Sequence, residues 1–301
     1  LSVQTEGRVL RSAGGVYSVD CGDRILDCTL RGRLKLDEES INPGDVVLLE
    51  HLPDGSFRIE RLLPRSTKLS RRAVAGSREQ VIVANVDQLA AVFAAGDPAP
   101  DFRLLDRFLV LAELNGLSAF IVLNKIDLTS EAAAMDAFHI YREAGYDILP
   151  TSAHRGDRVP ELSRRLGDHA TVFAGPSGVG KSSLLNLLLP EHELKVREVS
   201  SKRGRGRHTT VGSTFYRLPD GGYVADTPGL QLLVLWDLSA DELAGGFPEF
   251  AAALGSCRFN DCRHVSEPDC AVRRLVEAGV ASEARYSSYR ALLDETKQEN
   301  T

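Results

Sequence analysis

No run of eighteen or more apolar residues occurs in this sequence, so no helix is expected to span a membrane. The first eleven residues, Leu1 to Arg11, lack the basic-then-apolar layout of a signal peptide. The chain does not begin with Met either, and a short missing leader is expected. It has no internal repeat and no low-complexity tract. It lacks an even set of cysteines: there are five, three of them crowded between Cys257 and Cys270. Without an export signal, that pattern favours reduced thiols or a metal over disulfides. An excess of positive charge is also missing. The net charge of −6 argues weakly against a nucleic-acid partner, though the distribution of charge decides more than its sum. What is present, 43% hydrophobic and 26% charged residues, excludes a wholly disordered or fibrous chain. A soluble, globular, cytoplasmic protein is expected, and 301 residues suit two domains with room for a small third.

The first seventy residues read as short strands cut by turn signals. Gly14-Gly15 separates two β-rich runs between Gly7 and Asp20, and Arg24–Leu30, Asp45–Glu50 and Ser56–Leu62 follow. Five short strands in that length suit a small closed barrel of the OB type. Leu63 to Gln80, polar and rich in Arg and Ser, reads as a linker. From Val81 the pattern alternates between apolar runs (Val81–Ala84, Leu89–Ala95, Ala119–Leu123, Thr171–Ala174) and helical stretches such as Phe102–Asn115 and Ser130–Ala144. This alternation predicts an α/β domain with a parallel sheet. A cysteine cluster and a charged helical tail, Ser282–Lys297, close the chain. The expected domains are residues 1–70, 71–254 and 255–301.

Gly175-Pro176-Ser177-Gly178-Val179-Gly180-Lys181-Ser182 matches the phosphate-loop pattern, with an apolar strand before it and a helix from Ser183 after it. Its glycines let backbone amides close around phosphate oxygens at a helix N-terminus. Lys181 would reach the β- and γ-phosphates, and the Ser182 hydroxyl would ligate magnesium. Asn124-Lys125-Ile126-Asp127 follows a strand, and the Asp127 carboxylate can accept from both donors on the guanine edge, which adenine does not offer. Such a paired polar site rejects the wrong base. Ser152-Ala153, after a further strand, can offer a backbone N–H to the guanine carbonyl.

The order is unusual. The base-reading segments precede the phosphate loop, and the D-x-x-G magnesium and γ-phosphate motif, Asp226 to Gly229, comes last. Because a nucleotide site on a sheet depends on neighbouring strand ends rather than chain order, the pattern reads as a circularly permuted GTPase. The position after D-x-x-G, where a water-orienting Gln often stands, is Leu230. Gln231, one residue on, and His208 in Gly206-Arg207-His208-Thr209-Thr210 are the alternatives, although His208 also reads as an exposed loop residue. Thr209 or Thr210 would complete the magnesium shell. Gly178 stands where potassium-dependent GTPases carry an Asn, so that route is unsupported.

Cys257, Cys262, His264 and Cys270 offer three thiolates and an imidazole within fourteen residues, a full tetrahedral set for one structural zinc. Cys21 and Cys28 fall in the barrel pattern and read as core residues. Lys195, Arg197, Lys202, Arg203, Arg205 and Arg207 surround the single acid Glu198, and Arg58, Arg61, Arg65, Lys68, Arg71 and Arg72 form a second basic run. Two such runs in an acidic chain, beside an OB-like barrel, point to contact with a nucleic-acid backbone.

Together with Asn85-Val86-Asp87-Gln88 and the tail Arg285-Tyr286-Ser287-Ser288-Tyr289, these motifs resemble the RsgA (YjeQ) family of small-ribosomal-subunit biogenesis GTPases over nearly the whole length. The resemblance implies an OB barrel, a permuted GTPase centre and a zinc-binding helical module. It also implies a GTP hydrolase that binds the small subunit and its rRNA late in maturation; GTP, Mg2+ and one structural Zn2+ are its expected ligands, and a monomer is expected. The subunit would stimulate hydrolysis, which is coupled to release. Pro176 departs from the polar residue often found there. Two other readings stay open: a permuted GTPase serving the large subunit, and a GTP-controlled scaffold without RNA contact.

Overall fold

The computed structural model describes residues 5–30, 40–72, 79–190, 213–227 and 239–298. The N-terminal strands are β1 (Thr5–Ala13), β2 (Val16–Asp20), β3 (Ile25–Leu30), β4 (Val46–His51) and β5 (Phe57–Leu62), followed by β6 (Lys68–Arg72) and β7 (Glu79–Ala84). Then come β8 (Gln88–Ala94), α1 (Phe102–Leu114), β9 (Ser118–Asn124), α2 (Glu131–Ala137), α3 (His139–Glu143), β10 (Asp147–Pro150), α4 (Val159–Leu166) and β11 (Ala170–Ala174). The rest is α5 (Lys181–Leu188), β12 (Thr214–Arg217), β13 (Tyr223–Asp226), α6 (Ala240–Gly245), α7 (Ala271–Glu277) and α8 (Glu283–Gln298). No helix among the described residues is long and apolar enough to cross a membrane.

The chain divides into two compact units, the first comprising residues 1–87, 164–173 and 197–233. In it β1 to β5 close a barrel in the order β1-β2-β3-β5-β4. Gly14 and Gly15, both at positive φ, make the tight β1–β2 turn, which side chains with a Cβ adopt only under strain. Alternate residues point inward, so Val9, Val19, Cys28, Val47, Leu49 and Ile59 fill the barrel. Cys28 is thus a core residue, whereas Cys21 is only half-buried at the edge of that core. The expected linker is more ordered than its polar composition predicts. Residues 68–72 and 79–84 form an antiparallel ladder, whose backbone hydrogen bonds do not need an apolar period. Also in this unit, β11 runs parallel to β13, which pairs antiparallel with β12.

The second unit comprises residues 88–163, 174–196 and 234–301. Its strands β8, β9 and β10 are parallel, with β9 central. Every residue of β8 is buried, the continuous apolar run expected of a parallel strand covered on both faces. α1 starts where the Asp101 side chain accepts from the Leu104 N–H, and it packs Leu105, Phe108 and Leu109 inward. The expected helix over 130–144 is two helices, α2 and α3, broken at Phe138, which is fully buried.

Candidate nucleotide site and metal centre

In the second unit, the loop between β11 and α5 turns on Gly175, Gly178 and Gly180, all at positive φ. Two of these glycines have no room for a side chain. A Cβ on Gly175 would stand 2.1 Å from the Val92 carbonyl, and one on Gly180 would stand 2.3 Å from Asn124 Nδ2. Lys181 opens α5 and folds back over the loop, its Nζ donating to the carbonyls of Gly175 and Pro176 at 2.7 Å each. A cation is thereby held above a helix N-terminus, an arrangement suited to a phosphate chain.

Asn124, at the end of β9, is 1% exposed and joins three segments. Its Nδ2 donates to the Val179 carbonyl at 2.8 Å, while its Oδ1 accepts from the Ala153 N–H at 3.0 Å and the Thr151 hydroxyl at 3.3 Å. Lys125 sits in the left-handed region and donates from Nζ to the Asp97 carbonyl. Asp127 accepts the hydroxyl of the fully buried Ser152 at 2.5 Å, and Ser152 Oγ accepts from the Arg155 N–H. The Ser152 hydrogen bond holds the Asp127 carboxyl below the usual carboxylate range, so an ionised acceptor faces the cavity. That cavity, about 460 Å³, is lined by Asn124, Lys125, Asp127, Leu128, Ala153, His154, Gly180 and Ser183. It brings Asn124, Lys125, Asp127 and Ala153 beside Gly180 and Ser183 of the glycine loop and α5.

In the first unit Asp226 ends β13, in register with Phe173 of β11 and Thr214 of β12. The neighbouring Thr227 hydroxyl is buried with no partner among the described residues. His208, Thr209, Thr210, Gly229 and Gln231 lie outside the described residues.

The ligand atoms of Cys257, Cys262, His264 and Cys270 lie within 4.8 Å of one another. His264 Nδ1 is 3.5 Å from the sulfurs of Cys257 and Cys270, which are 3.9 Å apart. Zinc with bonds of 2.0–2.3 Å separates tetrahedral ligands by about 3.5–3.8 Å, so this donor set fits that ion. The Ala271 and Arg273 N–H groups point at Cys257 Sγ and Cys270 Sγ. Tyr286 and Tyr289 of α8 donate to the carbonyls of His264 and Arg263 and so seat the knuckle.

A model of the RsgA GTPase matches residues 62–236, and one of the RsgA N-terminal domain matches residues 6–58. The chain belongs to the RsgA GTPase family. Membership makes it a GTP-hydrolysing enzyme. Among its relatives is the "small ribosomal subunit biogenesis GTPase RsgA" of Gemmatimonas aurantiaca, 44% identical over 98% of both chains. The protein of the same name from Moorella thermoacetica is 46% identical over 96% of this chain and 97% of its own. The crystal structure of YjeQ from Thermotoga maritima matches with a TM-score of 0.82 and 34% identity, over 98% of this chain and 99% of that one. YloQ, described as a circularly permuted GTPase, matches at 0.77 and 32%, over 98% of this chain and 96% of its own. The chain therefore has the circularly permuted α/β frame that its motif order implies.

Two features of this RsgA family member were not legible in its motifs. Both ends of the Asn124 amide are engaged by protein, so the first residue of the Asn124–Asp127 segment ties loops together. Arg285, marked in the sequence only by resemblance, is wholly buried. It bonds Asp106 of α1 at 2.5 Å and Glu249 at 2.7 Å, and its guanidinium lies 4.7 Å from the centre of the Phe247 ring. No short motif announces it, because its partners stand 179 and 36 residues away.

Proposed function

We propose that this GTPase binds the small ribosomal subunit and its rRNA and acts in late maturation of that subunit, with the bound subunit stimulating hydrolysis. The observation that carries this reading is near full-length similarity, at 44–46% identity, to proteins named for small-subunit biogenesis. The basic runs and the OB-like barrel support an rRNA contact. A cytoplasmic monomer organised as residues 1–70, 71–254 and 255–301 fits the same reading.

In this scheme Gly175–Ser183 cradle the phosphates of GTP and Lys181 offsets the charge that builds on them as water attacks the γ-phosphorus. The bond to the bridging oxygen breaks, leaving GDP and inorganic phosphate. Asp127 reads the guanine edge, Asn124 and Lys125 hold its loop, and Ser152-Ala153 present an N–H to the base carbonyl. The Ser182 hydroxyl, and that of Thr209 or Thr210, would be ligands for Mg2+, and Asp226 and Gly229 of the D-x-x-G motif would serve the magnesium and the γ-phosphate. When bound, Mg2+ supplies positive charge to the triphosphate. His208 positions the water, since Leu230 cannot. Cys257, Cys262, His264 and Cys270 hold a structural zinc. Co-sedimentation with separated subunits tests the partner: binding to small subunits that is stronger with a non-hydrolysable GTP analogue supports it. Binding to large subunits alone, or to neither, removes it.

A further inference from the structure

Arg8 and Asp20 of the barrel face each other directly across the β1–β2 ladder. Together they clasp Tyr223, the first residue of β13. The Arg8 guanidinium lies 5.0 Å from the centre of the Tyr223 ring and 6.0 Å from that of Phe215. Its Nη1 also donates to the carbonyls of Asn85 at 3.0 Å and Gly44 at 3.3 Å. Asp20 is 3% exposed, and its Oδ2 accepts the Tyr223 hydroxyl at 2.9 Å. Arg217 donates to Asp20 Oδ1 at 3.3 Å and to the carbonyl of Gly22. There is little slack in this joint, since a Cβ on Gly44 would stand 2.0 Å from the Ala84 carbonyl and 2.9 Å from the Phe215 ring.

Arg217 and Tyr223 are cross-strand partners at the turn end of the β12–β13 hairpin, and the opposite end pairs Thr214 with Asp226. Three residues of strand, about 10 Å, separate Tyr223 from Asp226. A ladder of four-residue strands is marginal by itself, so its direction depends on what holds its ends. β11 holds β13 along its length, and the barrel holds the turn end through a buried carboxylate whose acceptor oxygens are engaged. Apolar contact alone would not fix that direction as closely as hydrogen bonds to a buried charge, which are geometrically demanding.

We propose that Asp20, together with Arg8, is a positioning residue for GTP hydrolysis, orienting through Tyr223 and Arg217 the strand that ends in Asp226. The inference rests on the proposed role of Asp226 at the γ-phosphate. Tyr223→Phe, Asp20→Asn and Asp226→Asn in the full chain test it, with kcat, GDP affinity, melting temperature and hydrogen exchange of the 214–226 amides as readouts. Tyr223→Phe and Asp20→Asn should each lower kcat about tenfold, the scale of one lost hydrogen bond to a buried charge. They should leave GDP affinity within about twofold and speed amide exchange in the hairpin. Unchanged kcat in both, beside an inactive Asp226→Asn, would overturn the clasp alone. A joint fall of kcat, GDP affinity and melting temperature would make the residues merely structural. Full activity in Asp226→Asn would overturn the assignment of Asp226, and the clasp's role with it.

Discussion

At the scale of single residues, one hydrogen bond sets the state of Asp127, the proposed reader of the guanine edge. Ser152 engages one carboxylate oxygen, which fixes the side chain and keeps it ionised. Guanine nucleotides should therefore bind far more tightly than adenine nucleotides. Asp127→Asn should move the preference towards xanthine nucleotides, because an acceptor becomes a donor. Competition binding measures both, and equal wild-type affinity for ATP and GTP would refute the assignment. Glu267 is a structural counterpart. Burial alone would raise its carboxyl, but the N–H groups of Val265, Arg263 and Ser266 outweigh that and hold it at about 2. Its depressed value means a stabilising contribution that is complete above the unfolded pKa of about 4.3 and fades as pH falls towards about 2. Glu267→Gln should thus destabilise the fold at neutral pH by no more than about 1 kcal/mol, because solvent screens this part-exposed carboxylate. The gap from wild type in denaturant melts should close over that acid range, and a gap independent of pH would exclude the charge as its cause.

Among the elements, α8 is where tertiary packing departs furthest from what a short motif conveys. The sequence reads here as a charged helical tail, and the structure buries one of its charges, Arg285, between Asp106 of α1 and Glu249. Removing one partner of a buried ionic cluster strands the others, so Arg285→Ala should destabilise the fold by about 3–5 kcal/mol in chemical denaturation. Arg285→Ala combined with Asp106→Asn should recover part of that loss, since one stranded charge is neutralised. The Cys3His knuckle leans on the same helix through Tyr286 and Tyr289. Cys262→Ser should loosen residues 255–298 in limited proteolysis while leaving GDP affinity nearly unchanged, because cavity and knuckle share no lining residue. Absence of zinc from the purified protein by elemental analysis would remove the metal from this account.

For the whole molecule, the central expectation is slow hydrolysis by the isolated protein. Leu230 offers water no hydrogen bond, and in the proposed reading the basic run from Lys195 to His208 docks on rRNA phosphates. Small subunits should raise kcat strongly, with an effect that shrinks as salt is added. His208→Ala should lose most of that stimulation while keeping its GTP affinity. Stimulation equal to wild type would return His208 to an ordinary loop residue. The barrel, the parallel strands, the glycine loop between strand and helix, and the Cys3His set were legible in the sequence. Each is local: a period of two, a glycine spacing, or ligands within fourteen residues carries the physics within a short stretch. Only the tertiary structure decided what depends on residues far apart in the chain. It made Asn124 a tie between three loops, buried Arg285 between two distant carboxylates, and brought Arg8 and Asp20 onto Tyr223 some two hundred residues on. Such pairings follow from how strands and helices stack, and an isolated arginine or aspartate reads the same in sequence whether solvated or buried.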